Sequence, residues 1–255
     1  MKNLICSSMW QVGVDEAGRG PVLGPLVVTA FSLPKPDVVL LEERGITDSK
    51  KIKPKERQEM FEWIIENSKS RGWEYHIYTS TPAEIDHAMS LASLNQHEVN
   101  IFSHCISKLN CSEKGGTIFL DACDVNAERF GSNVRSQIGK WTDSGAWKIE
   151  SMHGADEMFA VVGAASILAK VTRDLSIEEI ERKIGFPIGS GYPSDPVTQK
   201  ALPILLEGEK PHNELRWKWA TVENAWRKKG LGTLPSRKPS GDFSLKPQQR
   251  TLWDR

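Results

Sequence analysis

Little in this sequence points away from an ordinary aqueous, reducing compartment. The four cysteines (Cys6, Cys105, Cys111, Cys123) form no CxxC pair and no secreted-type framework, so they read as reduced thiols. No apolar run approaches the roughly 18 residues of a membrane span. The N-terminus also lacks a basic stretch followed by an apolar core, which removes the pattern of a secretory leader. A cytoplasmic protein is the expectation. Charge of one sign is not in excess: Lys+Arg and Asp+Glu are both 33. No global positive field announces a nucleic-acid partner, and any such partner has to be held by a local basic surface. None of the six histidines stands in an HExxH arrangement, and no internal repeat is present. What remains is a chain of 255 residues, 39% hydrophobic and 26% charged, long enough for one large domain or a domain with an appendage.

The most distinctive stretch is Val12-Gly13-Val14-Asp15-Glu16-Ala17-Gly18-Arg19-Gly20-Pro21-Val22-Leu23-Gly24-Pro25. It starts as an apolar strand, reaches two adjacent carboxylates, and passes through glycines and prolines to a second apolar run. Side chains alternate across a strand, so Asp15 and Glu16 share one site only if the chain leaves extended geometry near Glu16. Gly18 and Gly20 permit that turn and a close approach to a ligand. A hairpin turn with two solvated acids explains the glycines but not acids placed directly after Val14. A dinucleotide fingerprint is a poor match: the spacing is GxGxxxG, Pro21 interrupts it, and a β-rich run follows instead of a helix.

Strands alternate with helices along the chain, which predicts an α/β protein. A helix is expected from about Pro54, with Met60, Phe61, Ile64 and Ile65 inward, and a strand over Trp73–Thr79. Thr81-Pro82-Ala83-Glu84 has capping-box form. A helix from about Leu94 to Leu109 follows, then a short strand, Thr117–Leu120, that delivers Asp121. Asn126 can cap the next helix, and Trp147–Met152 reads as a strand. From Asp156 one long helix is expected to about Lys183, buried nearly all round in its first half. After a Gly/Pro loop at 189–196, two C-terminal helices are expected, the second carrying Trp217, Trp219 and Trp226. From Gly230 the composition becomes that of a flexible tail.

Acids thus stand at the ends of elements in three separated places. Singly, each has a bland explanation: Asp156 as a helix cap, Asp121 and Asp124 as turn residues. Their combination carries the functional reading. Gly13-Val14-Asp15-Glu16-Ala17-Gly18-Arg19-Gly20-Pro21 resembles the signature of type 2 ribonuclease H. Thr47-Asp48-Ser49-Lys50-Lys51 is similar to that family's next motif, and Leu120-Asp121-Ala122-Cys123-Asp124-Val125 and Ala155-Asp156 to the segments bearing its third and fourth acids. Ala164–Asp174 and Gly189–Pro196 complete a match in the family's order over roughly residues 10 to 227. The resemblance is strongest to the single-chain archaeal type, ribonuclease HII.

That resemblance implies a ribonuclease H-like fold, a central mixed β-sheet flanked by helices with a small helical C-terminal extension. The corresponding division is 1–194 catalytic, 195–229 helical extension and 230–255 tail. It implies Asp15, Glu16, Asp121 and Asp156 as catalytic metal ligands. Such acids would raise one another's pKa without a counter-charge, which two divalent cations would supply; hard oxygen donors suit Mg²⁺ or Mn²⁺ rather than zinc. The implied reaction is two-metal phosphodiester hydrolysis of the RNA strand of RNA–DNA hybrids, and at ribonucleotides embedded in duplex DNA, leaving 5′-phosphate and 3′-hydroxyl ends.

Substrate contacts are implied for Gly18, Arg19 and Gly20 at the sugar–phosphate, for Tyr192 on the adjoining sugar, where the 2′-hydroxyl separates RNA from DNA, and for Lys50 on a phosphate. His153-Gly154 precedes the fourth acid where relatives carry lysine, Phe159 stands in place of an aromatic–proline pair, and Gly163 stands where serine is usual. None of these removes an acid. The end of the chain, Gln248–Arg255, has Gln249 and Leu252 at the spacing of a sliding-clamp-binding tail, but its single aromatic, Trp253, comes too early for that motif's aromatic pair. A plain disordered tail fits it better. A monomer is expected. The alternative from another class is a non-catalytic nucleic-acid-binding module that keeps the fold, against which retention of all four acids argues.

Overall fold

The computed structural model describes residues 9–46, 52–143, 146–230 and 232–237. Five strands form one sheet: β1 (Trp10–Ala17), β2 (Leu26–Pro34), β3 (Glu74–Ser80), β4 (Gly116–Asp121) and β5 (Trp147–Met152), in the order β3-β2-β1-β4-β5. The helices are α1 (Val38–Glu43), α2 (Pro54–Arg71), α3 (Pro82–Leu91), α4 (Leu94–Ser107), α5 (Ala127–Gln137), α6 (Gly139–Thr142), α7 (Ala155–Met158), α8 (Ala160–Ile184), α9 (Pro196–Leu205) and α10 (Ala220–Lys228). The expected α/β class and mixed sheet are found. No helix among the described residues is long and apolar enough to cross a membrane.

Local chemistry accounts for most of these boundaries. Thr81 and Glu84 form the reciprocal capping box at the start of α3, and the Asn126 side chain accepts from the Arg129 amide at 2.8 Å to start α5. Gly72 takes a left-handed φ of 72° to end α2, a conformation that glycine adopts without a Cβ penalty. One expectation fails: the long helix does not begin at Asp156. Phe159 is extended, with φ −125° and ψ 115°, and separates α7 from α8. Its ring stacks on Phe119 of β4, centroids 4.0 Å apart, so tertiary packing overrides the helical pattern.

Two compact units partition the chain. One lies within Met1–Glu16, Val28–Ile77 and Glu98–Val171, the other within Ala17–Val27, Tyr78–His97 and Thr172–Arg255. In the first, β1 pairs parallel with β4 and β4 with β5, Val14 opposite Leu120 and Leu120 opposite Ser151. Parallel strands run apolar when both faces are covered: Val12, Val14, Ile118 and Leu120 are fully buried. The start of α8 packs so closely on β1 that a Cβ at Gly13 would lie 2.3 Å from the Val161 carbonyl oxygen.

The core of the second unit is built on Val22, Leu23, Ile177, Ile188, Leu215 and Trp226. Here the C-terminal helices differ from expectation. Trp217 precedes α10 and Trp219 is its N-cap, so of the three tryptophans only Trp226 lies in the helix. The segment before α10 instead pairs with the glycine loop, through a bridge of Leu23 to Leu215. Arg237, in the stretch expected as a flexible tail, is tied down: it pairs with Asp86 at 3.1 Å and donates to the Leu215 carbonyl at 2.6 Å.

Candidate metal centre and glycine loop

Parallel pairing carries three of the four expected acids to one place. Asp15 near the end of β1, Asp121 at the end of β4, and Asp156 in α7 just after β5 each offer a carboxylate oxygen within 4.8 Å of the others. Asp15 and Asp156 are 4% and 1% exposed, which water does not compensate. Their supports are local. Asp121 accepts from the backbone amides of Gly154 and Ala155 at 2.8 and 3.3 Å, and Gly154, at φ 69°, makes the left-handed turn that aims those amides. Ser166, fully buried on α8, hydrogen-bonds the Asp15 side chain.

Glu16 lies outside this trio. Its carboxylate accepts a hydrogen bond from the Cys123 thiol at 3.2 Å. Asp124, the other acid of that segment, is committed to structure: Arg129 pairs with it through two nitrogens at 3.0 and 2.5 Å. Ser166, Cys123 and the fully buried Glu98 are the neighbours that sequence reading missed. Serine and cysteine in a helix or after a strand carry no pattern of their own, and Glu98 sits in an otherwise regular helical stripe.

The electrostatics of the acids follow from burial. Desolvation raises the Asp15 carboxyl well above its usual range, the charges of Glu16, Asp121 and Asp156 push the same way, and the Ser166 hydrogen bond opposes them. Glu16 is pushed up to about 7, by burial first and then by Glu98. Burial, with Glu16 and Glu98, also pushes the Cys123 thiol up. An acid whose folded-state pKa is raised contributes stability that is intact below its unfolded value and lost as pH rises through the folded one. For Glu16 that window runs from 4.5 to about 7. The melting temperature in EDTA is therefore expected to fall between about pH 5 and pH 8, and saturating Mg²⁺ or Mn²⁺ to flatten the fall, because a cation favours the ionised carboxylates. Scanning calorimetry across that range checks it; a metal-free melting temperature independent of pH would contradict it.

The second unit holds the other expected residues. Gly18 is buried at φ 89°, and a Cβ there would lie 2.3 Å from Nε of Arg173. Backbone strain and lack of space both demand glycine at this position. Gly20 is exposed beside Tyr192, whose ring would stand 3.3 Å from a Cβ placed there. Tyr192 is 41% exposed, a ring presented to solvent and backed by the Arg173 guanidinium 5.7 Å from its centroid. Arg19 is half-buried and donates to the Asn95 side chain at 2.5 Å. Gly20 thus lies beside Tyr192, and Arg173 lies beside both Gly18 and Tyr192. Lys50 and the Gln248–Arg255 segment lie outside the described residues.

Parallel strands leading to a trio of carboxylates, two of them buried, within this strand order, define the class: a ribonuclease H-type nuclease. The Ribonuclease HII family profile matches residues 12–222. The chain is 40% identical over 223 residues to ribonuclease HII of Methanosarcina acetivorans, covering 85% of this chain and 95% of that protein. It is similar to the crystal structure of ribonuclease H2 from Pyrococcus horikoshii, with TM-score 0.75 and 33% identity over 86% of this chain and 98% of that one. It is also similar to ribonuclease HII of Archaeoglobus fulgidus, solved in complex with PCNA, with TM-score 0.70 and 30% identity over 83% and 95%. The chain belongs to the ribonuclease HII family. It is a ribonuclease H, as the sequence motifs implied.

Proposed function

We propose that this chain is a cytoplasmic endoribonuclease of DNA replication and repair that hydrolyses the RNA strand of RNA–DNA hybrids. It also cuts at single ribonucleotides embedded in duplex DNA, leaving 5′-phosphate and 3′-hydroxyl ends. One observation carries the reading: the convergence of Asp15, Asp121 and Asp156, two of them buried, on one point. Buried like charges at this separation are tolerated when a cation offsets them. The donor set is all carboxylate, which fits a hard divalent ion, Mg²⁺ or Mn²⁺, and not zinc. Asp15, Asp121 and Asp156 would hold it. Glu16 completes the set of four, being next in the chain and within reach of the charge of Asp121. When bound, a pair of such ions supplies the Lewis acidity that phosphodiester hydrolysis needs.

The protein's own part is to orient. The Ser166 hydrogen bond and the Gly154 and Ala155 amides hold Asp15 and Asp121 in place. Gly18, Arg19 and Gly20 meet the sugar–phosphate at the RNA–DNA junction, the backbone being exposed at Gly20, where no Cβ intervenes. The exposed ring of Tyr192 packs on the adjoining sugar and senses the 2′-hydroxyl. Lys50 takes a phosphate, and Gln248–Arg255 offers a tail for a PCNA-type clamp, a partner that the Archaeoglobus relative is seen to bind.

A labelled DNA duplex with one ribonucleotide, incubated with the purified chain alone, tests the reading. Cleavage next to the ribonucleotide with Mg²⁺ or Mn²⁺ and none in EDTA is the expected result. No metal-dependent cut would return the chain to the class of binding modules.

A further inference from the structure

The glycine loop of the second unit is held by residues outside the sequence motifs. Arg216 is fully buried, and a buried guanidinium needs hydrogen bonds in place of its water. It donates from Nη2 to the Gly18 carbonyl at 2.6 Å, from Nη1 to the Arg19 carbonyl at 3.0 Å and from Nε to the Gly24 carbonyl at 3.0 Å. The planar fork fixes the directions of these bonds as a lysine ammonium could not. Trp219 lies over the same guanidinium, 4.8 Å from ring centroid to Cζ, and donates from Nε1 to the Gly20 carbonyl at 3.2 Å. The backbone closes the arrangement: Arg216 N to Val22 O at 2.8 Å, Gly24 N to Glu214 O at 2.9 Å, and Val22 N to Gly191 O at 2.8 Å.

In a trans peptide the N–H points opposite to the C=O. Turning the Gly18 and Arg19 carbonyls onto Arg216 therefore turns the amides of Arg19 and Gly20 the other way, and the next residue, Pro21, has no amide. Two successive N–H groups directed to the same side make an anion- and hydroxyl-binding concavity. Gly20, whose carbonyl is taken by Trp219, sits beside Tyr192.

We propose that Arg216 and Trp219 are positioning residues for ribonucleotide recognition: they hold the loop carbonyls so that the Arg19 and Gly20 amides face the sugar–phosphate. The proposal rests on the reading of the Gly18–Gly20 loop given above. Arg216→Lys keeps the charge but loses the fork; Trp219→Phe keeps the ring over the guanidinium but loses the donor to Gly20. On a duplex with one ribonucleotide, Arg216→Lys is expected to lower kcat/KM by about tenfold to a hundredfold, the scale of a small misplacement of substrate-positioning groups. Trp219→Phe is expected to lower it about threefold to tenfold, the loss of one hydrogen bond. KM carries the larger part in both, because the loop grips the ribose before and during the cut.

Binding in EDTA separates this from a structural role. The preference of the full chain for the ribonucleotide duplex over the all-DNA duplex should shrink in both variants, while Mn²⁺ affinity, a property of the acids, stays unchanged. Trp219→Phe decides the matter if Arg216→Lys does not fold. A preference within twofold of the parent in folded variants, or an equal loss of Mn²⁺ affinity, overturns the proposal. A parent chain that prefers the ribonucleotide duplex but never cuts it would overturn the nuclease reading instead, and the variants' preference would still decide this one.

Discussion

Asp15→Asn is expected to remove cleavage at an embedded ribonucleotide, by at least about a thousandfold, the upper end of what one lost electrostatic partner of a transition state costs. The same substitution should leave the metal-free fold as stable as the parent, or more so. Burial raises the Asp15 carboxyl well above its usual range, and Glu16, Asp121 and Asp156 add to that. Ionising it at neutral pH therefore works against folding until a cation arrives. Asparagine keeps the size and can still accept the Ser166 hydrogen bond, without the charge. The difference has a sign in pH: below the unfolded carboxyl value of 3.8 the two proteins should melt alike in EDTA, and as pH rises above it the variant should melt progressively higher. Product formation in Mg²⁺ and melting in EDTA, on the same preparations, measure both halves. Substantial residual cleavage, or a large drop in melting temperature, would give Asp15 a structural role instead.

Gly13→Ala is expected to be among the most damaging single methyls in the first unit. The added Cβ would lie 2.3 Å from the Val161 carbonyl oxygen and 2.5 Å from the Val162 nitrogen. Both are backbone atoms of the buried start of α8, which cannot rotate aside as a side chain would. The sheet and helix have to separate, at a cost of about 3 kcal/mol, the upper range for overpacking. For a domain of this size that is roughly 6–12 °C in melting temperature. Thermal denaturation with metal present measures it, and a drop below about 2 °C would mean that the helix start is looser than this contact implies. Because Gly13 lies two residues before Asp15, reduced metal affinity should accompany the loss of stability.

Local features are legible in the amino-acid sequence. The Thr81–Glu84 box, the Asn126 cap and the strands that carry Asp15 and Asp121 near their ends all depend on neighbours within a few residues, so composition and spacing reveal them. The family motifs extend that legibility to which acids are candidates, and three of the four do lie together. Phe159 is not legible: its neighbours favour helix, and only Phe119, far away in the chain, pulls it out of one. Trp217 and Trp219 read as helical because an aromatic run has the same composition whether it packs in a helix or braces a loop.

Fold class, family and candidate acids follow from the sequence, because strand alternation, caps and turn glycines act over short distances and the motifs recur in a characteristic order. Three further features belong to the tertiary fold. Parallel pairing of β1, β4 and β5 aligns the strand ends and so makes three scattered aspartates into one centre. Glu16 accepts from Cys123 and is not one of the three acids whose oxygens converge. Arg216, nearly two hundred residues from Gly18, is the cation on which the glycine loop is folded. Each depends on groups meeting across long stretches of chain, and hydrogen bonds to a carbonyl leave no trace in the identity of the residue that carries it.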